Sequence, residues 1–213
     1  MRLSSAFLLA ALLTSCAQPG REAAAPPPPL PIATLPSLPA SFESAPICPT
    51  CGGVTLTLRP DGSFLLRQRL GTSDFSDFGR WTLLADGTLS LQGERGKRRY
   101  APRANGTLDD LEGGGGDLLP NAAVEPIRGP FRMTGLYDGA TFKDCRTGIT
   151  WPLDDSRAGG SLKRDYLESA AGKAGRAALV ALDARLDVEG SPPREAVHVQ
   201  RLPAVLSESA CPG

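Results

Sequence analysis

The chain has 213 residues with 23 basic and 23 acidic side chains, and this balance gives no electrostatic case for a nucleic-acid partner. It contains one histidine and neither a GxSxG nor an HExxH motif, so catalytic Ser-His-Asp or Cys-His arrangements have a single possible base. The sequence therefore indicates a protein that is not an enzyme. Its 24 glycines and 20 prolines, with few aromatic residues, favour short strands joined by tight turns.

The first sixteen residues are typical of a secretory signal that ends in a cysteine. Arg2 precedes an uncharged apolar run over 6–13, which is too short to span a bilayer. Leu13-Thr14-Ser15-Cys16 fits the bacterial lipobox, in which the signal is removed and acyl chains such as palmitate are attached to the cysteine. We predict a signal peptide over 1–15 and lipidation of Cys16, and Ala17 in place of aspartate favours the outer membrane. The alternative is a plain secretory signal with an incidental cysteine.

Residues 16–46 are rich in proline and alanine and carry few charges. Proline runs such as 26–29 favour an extended polyproline conformation of about 3.1 Å per residue. This segment is therefore predicted to be a tether that holds a folded body away from the lipid. A proline-rich ligand for a partner domain is the alternative.

Four cysteines remain after Cys16, and in an exported protein they allow three disulfide pairings. We favour Cys48–Cys51 and Cys145–Cys211. The second pair closes a long loop, worth roughly 4 kcal/mol in the loop-closure model, against roughly 2 kcal/mol for the first. Cys48 and Cys51 also remain candidate ligands for Cu(I), because two thiolates two residues apart can chelate a soft metal.

From Val54 to about position 111 the sequence predicts an antiparallel meander of about six strands. Val54, Leu56 and Leu58 alternate with polar residues, so we expect these three side chains to face inward. Asp-Gly or Asn-Gly pairs then separate successive strands at 61–62, 86–87 and 105–106. We predict a barrel or half-barrel domain over 47–120.

The second half, over 127–213, is predicted to be a smaller β-rich domain with one short helix over 161–171. Ser161 is the expected N-cap, and Tyr166 and Leu167 are expected to lie in the core. In the strand over 196–202, alternation places His198 on the face opposite its two valine neighbours, where we expect it to be solvated.

Several of these motifs, taken together, resemble the NlpE family. In the first half these are the lipobox, Cys48-Pro49-Thr50-Cys51-Gly52-Gly53-Val54, Asp61-Gly62-Ser63-Phe64 and Gly79-Arg80-Trp81. In the second half these are Gly135-Leu136-Tyr137, the block over 140–148 that contains Asp144-Cys145, Trp151-Pro152, and Leu162-Lys163-Arg164-Asp165-Tyr166-Leu167. The stretch over 137–139 is shorter than the family's.

The resemblance implies an outer-membrane lipoprotein that faces the periplasm and acts in copper homeostasis, surface sensing or envelope-stress signalling. It implies a lipocalin-like N-terminal β-barrel, the same two disulfides and a periplasmic signalling partner. The alternative function is a lipocalin-like module that binds a small ligand or Cu(I). An aromatic cavity for such a ligand would have to draw on Phe64, Phe75, Phe78 and Trp81.

Overall fold

The structure is a computed structural model, and it describes residues 35, 37–44, 52–113, 116–156, 160–205 and 210–212. The first domain is a closed barrel of eight antiparallel strands in which each strand pairs with its neighbours in sequence and β1 pairs with β8. Its strands are β1 Ala40–Ser44, β2 Val54–Leu58, β3 Ser63–Leu70, β4 Ser73–Leu83, β5 Leu89–Gly93, β6 Gly96–Pro102, β7 Leu108–Asp110 and β8 Leu118–Pro120. The predicted N-terminal β-barrel is confirmed.

The predicted Asp-Gly and Asn-Gly pairs form three turns of one design. In each turn the Asp or Asn side chain accepts a hydrogen bond from the backbone N–H two residues later, at 2.9 Å, 2.9 Å and 3.1 Å. Gly62, Gly87 and Gly106 have φ of 81°, 81° and 83°, a conformation that favours glycine. The turn residues therefore set the register of the meander.

The interior of the first barrel is filled by its inward-facing side chains. Val54, Leu56 and Leu58 are buried, as their alternation predicts. They pack with Phe42, Phe64, Leu66, Leu89, Leu91, Tyr100, Leu108 and Leu118.

The barrel begins at Ala40, within the segment that we assigned to the tether. β1 is only five residues long, and its one large side chain, Phe42, is fully buried between β2 and β8. A strand this short gives little local signal, and its pairing depends on partners distant in sequence. The prediction of about six strands missed β1 for this reason, and it missed β8 because three residues beside a glycine run show no alternation.

The second domain is a closed barrel of five strands in the order β10-β11-β13-β12-β9. Its strands are β9 Phe131–Tyr137, β10 Thr141–Asp144, β11 Thr150–Asp154, β12 Ala178–Glu189 and β13 Arg194–Val205. β9 also pairs with β10 and closes the barrel, while β11 and β13 run parallel. The predicted β-rich second domain is confirmed.

The helical region differs from the predicted single helix over 161–171. It contains α1 Ser161–Glu168 and α2 Ala170–Lys173, separated by an extended Ser169 whose hydroxyl accepts the N–H of Gly172 at 3.0 Å. Gly160, not Ser161, is the N-cap of α1. Leu162 and Tyr166 are buried, but Leu167 is 56% exposed, so the prediction that Leu167 lies in the core is wrong. None of the described helices is long and apolar enough to cross a membrane.

His198 is buried, with only 2% of its surface exposed, so the prediction of a solvated histidine is also wrong. Its Nδ1 lies 3.2 Å from an Asp154 carboxylate oxygen, and its Nε2 lies 2.8 Å from one of Glu189. Alternation places its side chain opposite Val197 and Val199, but alternation does not reveal whether that face is covered.

Candidate functional site

The predicted lipidation and metal positions, Cys16, Cys48 and Cys51, lie outside the described residues, as does the expected Cys48–Cys51 bond. Cys145 and Cys211 form a disulfide with a Cα–Cα distance of 5.4 Å. Within the described ranges, no group of three or more His, Cys, Asp or Glu side chains is placed to hold a metal ion.

The four aromatic residues that the sequence offered as a cavity lining do not come together. Phe64 lies in the core of the first barrel, and Trp81 packs against that core. Phe78 lies in the core of the second barrel instead, and the ring of Phe75 lies 5.0 Å below the guanidinium of Arg95. These side chains therefore form no shared ligand chamber.

Side chains of the first barrel close one end of the second. Leu65 and Phe78 pair across β3 and β4 on the outer face of the first barrel, and both join the second barrel's core. The Phe78 ring centroid lies 6.0 Å from that of Phe131 and 5.7 Å from that of Trp151. The first barrel thus contributes the side chains of Leu65 and Phe78 to the core of the second barrel.

The opposite end of the second barrel is closed by α1. Tyr166 of α1 packs edge-on against Tyr137, with ring centroids 5.3 Å apart. Because β9 runs from Phe131 to Tyr137, the contacts of Phe78 and Tyr166 lie at opposite ends of the same strand. The second barrel is therefore complete only with α1 at one end and the first barrel at the other.

An ion pair joins the barrels beside this aromatic contact. Arg59, which follows β2, donates two hydrogen bonds to Glu195 of β13, one of them 3.0 Å long. The indole N–H of Trp151 also donates to Glu195 at 2.8 Å, and that of Trp81 donates to the Arg59 carbonyl at 3.0 Å. Burial alone would lower the pKa of Arg59, but the hydrogen bond and charge of Glu195 outweigh burial and raise it. Arg59 therefore stays charged.

A second polar contact joins a turn of each barrel. Arg146 donates to the Gly93 carbonyl at 2.7 Å and to the Glu94 carboxylate at 2.5 Å. Arg80 of β4 donates to the Thr147 carbonyl at 3.0 Å. The two turns are therefore held together by guanidinium groups from both barrels.

Each of these turns is built around a buried aspartate. Asp77 accepts the N–H groups of Phe78 and Glu94 at 3.0 Å and 2.9 Å. Asp144 accepts the N–H and hydroxyl of Thr147 at 2.7 Å and 2.8 Å. Burial raises the pKa of both carboxyls, although these hydrogen bonds and the charge of Arg146 act in the opposite direction.

The disulfide adjoins the same contact. Cys145 lies between Asp144 and Arg146, and its backbone N–H donates to the Thr134 carbonyl at 2.9 Å. The bond to Cys211 therefore attaches the end of the described chain to the turn that contacts the first barrel.

A groove of about 660 Å³ lies beside the Arg59–Glu195 pair. Its walls come from the residues that precede β1, the connection between the barrels and the β12–β13 hairpin. Its apolar lining includes Pro39, Leu65, Ile127, Leu186 and Val188.

The sequence reasoning did not single out this contact between the barrels. One signal was available: Phe64-Leu65-Leu66 breaks the alternation of β3 and so indicates a strand that is apolar on both faces. The ion pair between Arg59 and Glu195 gives no such signal, because its partners lie 136 residues apart.

Residues 122–202 match the family model described as the NlpE C-terminal OB domain. The strand order of the second barrel, with its helices between β11 and β12, agrees with a five-stranded OB barrel. A solved structure of the Cpx pathway activator NlpE from Escherichia coli is 25% identical and covers 83% of this chain and 100% of its own, with a TM-score of 0.35. No curated protein sequence matches the chain significantly.

Proposed function

We propose that this chain is a lipid-anchored envelope protein that acts in envelope-stress signalling, because residues 122–202 match the family model of the NlpE C-terminal OB domain. The observation that carries the proposal is the family match over 122–202. The lipobox that ends at Cys16 supports it, because it supplies an anchor of the kind that the motif resemblance implies. The anchor is assigned to the outer membrane, with both barrels facing the periplasm.

We infer that the chain acts through contacts with a periplasmic signalling partner and not through catalysis. The charged side chains between the barrels form hydrogen-bonded ion pairs with each other, as Arg59 does with Glu195 and Arg146 with Glu94. The first barrel's interior is packed with apolar side chains. These observations favour a protein that presents a fixed surface.

We extend the proposal to copper homeostasis and surface sensing on the strength of the motif resemblance. Reduced Cys48 and Cys51 would supply two thiolates, which suit Cu(I). Titration of the reduced and oxidised chain with Cu(I) tests the copper role. Stoichiometric binding by the reduced form, lost in the Cys48→Ser/Cys51→Ser variant, is the expected result, and no binding by either form would contradict it.

The anchor is tested by replacing Cys16 with serine. Without its thiol the lipobox cannot accept diacylglycerol, so we expect the variant to take up no labelled fatty acid and to leave the membrane fraction or remain uncleaved. Metabolic labelling and fractionation of the parent and the variant measure this. A variant labelled as strongly as its parent would show that Cys16 is not the lipid site.

A further inference from the structure

The groove beside the Arg59–Glu195 pair has the size and chemistry of a ligand site that neither the lipobox nor the family match assigns. Its volume of about 660 Å³ falls within the range of small-molecule sites. Leu65 lines the groove and also belongs to the apolar contact between the barrels, so the groove continues that interface to the surface. Val188 lines it while 61% exposed, which leaves apolar surface open to an occupant.

The charged side chains of the lining, its asparagine and two of its hydroxyls are paired inside the protein. The hydroxyls of Ser41 and Thr57 lie 3.0 Å apart, and Arg59 is held by Glu195. Of the side chains at the rim, Arg128 donates to Asp187 at 3.2 Å and Asn121 donates to Glu43 at 2.9 Å. Each arginine of the lining is thus matched by a carboxylate, and the groove presents no unbalanced charge.

This pairing decides what the groove can accept. An extended peptide would bring backbone N–H and C=O groups that need partners, and a charged head group would need a free counter-charge. An acyl chain brings only methylene groups, which gain free energy by leaving water and require no hydrogen bond. We propose that the groove binds a single acyl chain of a membrane lipid.

The position of the groove agrees with a lipid source. Ser37 and Pro39 form part of its wall, and they are the residues at which the predicted tether from Cys16 reaches the first barrel. The source of the acyl chain rests on the proposed anchoring, but the acyl-chain chemistry does not. The test therefore uses the full chain with Cys16→Ser, which carries no lipid of its own.

The chain has two tryptophans, and both contact groove residues. Trp81 donates to the Arg59 carbonyl at 3.0 Å, and Trp151 donates to the Glu195 carboxylate at 2.8 Å. Because bromine quenches indole fluorescence only at short range, bromine-labelled palmitic acid is a direct probe. We expect saturable quenching with one probe per chain, reversed by unlabelled palmitic acid and equally by the uncharged hexadecanol.

Two substitutions at the groove and one control complete the experiment. Val188→Lys places a charge in the groove and should weaken binding about tenfold or more, which corresponds to roughly 1.4 kcal/mol. Ala122→Phe fills the groove from the exposed connection between the barrels without adding an indole, and it should have a similar effect. Leu111→Lys alters a leucine that is 47% exposed and outside the groove, and it should leave binding unchanged. Equal thermal midpoints establish that the variants compared are folded.

The length of the fatty acid gives a second measure of binding in the groove. Each methylene fully removed from water strengthens binding about fourfold, so myristic acid should bind about tenfold more weakly than palmitic acid in a partly open groove. Absence of quenching, quenching that both groove variants leave unchanged, or failure of hexadecanol to compete would overturn the proposal. The proposal would also be overturned if the lipidated parent resisted quenching while Cys16→Ser was quenched. That result would assign the groove to the protein's own acyl chains.

Discussion

Phe78 is a residue of the first barrel whose side chain lies in the core of the second barrel. Its strand neighbours Asp77 and Gly79 face the first barrel's interior by alternation, whereas Phe78 is buried against Phe131 and Trp151. A large aromatic side chain in this position replaces a residue that the second barrel would otherwise have to supply. The residue is structural, and its effect crosses the boundary between the domains.

We predict that Phe78→Ala lowers the free energy of unfolding of the second barrel by about 3–5 kcal/mol, because it leaves a cavity among packed aromatic rings. Phe75→Ala is the matched control on the same strand, since Phe75 contacts the first barrel's Arg95 and not the second barrel's core. Urea unfolding in a Trp81→Phe background, where Trp151 is the one remaining tryptophan, measures both variants by fluorescence. Equal losses in the two variants would show that Phe78 does not complete the second barrel.

Asp144 gives a prediction about pH. Burial raises its pKa above the ordinary value of 3.8, so the folded protein retains the proton to a higher pH than the unfolded chain does. The stability that this group contributes is therefore fully present below pH 3.8 and is lost as pH rises through the folded pKa. Asp144→Asn keeps an oxygen acceptor but cannot ionise, so it should remove this loss.

The exposed Asp138 is the control of opposite sign. The N–H of Thr141 holds the pKa of Asp138 below 3.8, so its contribution is present above that pH and is lost on acidification. Asp138→Asn should therefore remove a loss of stability on acidification, and urea unfolding from about pH 3 to about pH 7 distinguishes it from Asp144→Asn. If the free energy of unfolding of Asp144→Asn follows that of the parent at every pH, the buried carboxyl of Asp144 does not control the pH dependence of stability.

The turn over 144–148 combines three structural roles in five residues. Asp144 shapes the turn, Cys145 forms the disulfide and Arg146 contacts Gly93 and Glu94 of the first barrel. A substitution of any one of these three residues is therefore expected to shift the positions of the other two.

We predict that Cys145→Ala lowers the free energy of unfolding of the second barrel by roughly 2–4 kcal/mol, because it removes a crosslink with a sequence separation of 66 residues. Cys48→Ala should have a smaller effect on the first barrel, since the expected four-residue loop restricts the unfolded chain less. Unfolding curves of both variants under non-reducing conditions test this order. Mass mapping that joined Cys48 to Cys211 in the parent would refute the pairing.

The elements that were predictable from the sequence are those with a local signal. β2 follows from strict alternation, and β3 to β6 follow from short runs bounded by the turns at Gly62 and Gly87, which need only their own side chains. β1 was missed because its pairing depends on β8, almost the full barrel away in sequence. The break between α1 and α2 was missed because Ser169 favours a cap over a helix interior, a competition that periodicity does not register.

Among the residues that the structure describes, the two barrels meet through one apolar contact and two polar ones. The described residues of both barrels lie within one compact unit of the chain. The apolar contact contains Leu65 and Phe78, and the polar contacts contain Arg59–Glu195 and Arg146–Glu94. The sequence could predict two β domains but not this contact, because each pair is made by residues that only the finished fold brings together.

We propose that the anchored chain acts in envelope-stress signalling, and raised synthesis of the chain in a host with an envelope-stress reporter measures this role. The intact chain should raise reporter output, and Cys16→Ser at a matched protein level should not, because the barrels are then no longer held at the membrane. Equal thermal midpoints of the two forms would exclude misfolding as the cause. Reporter output that stays at the level of the empty vector with the intact, membrane-bound chain would contradict the account.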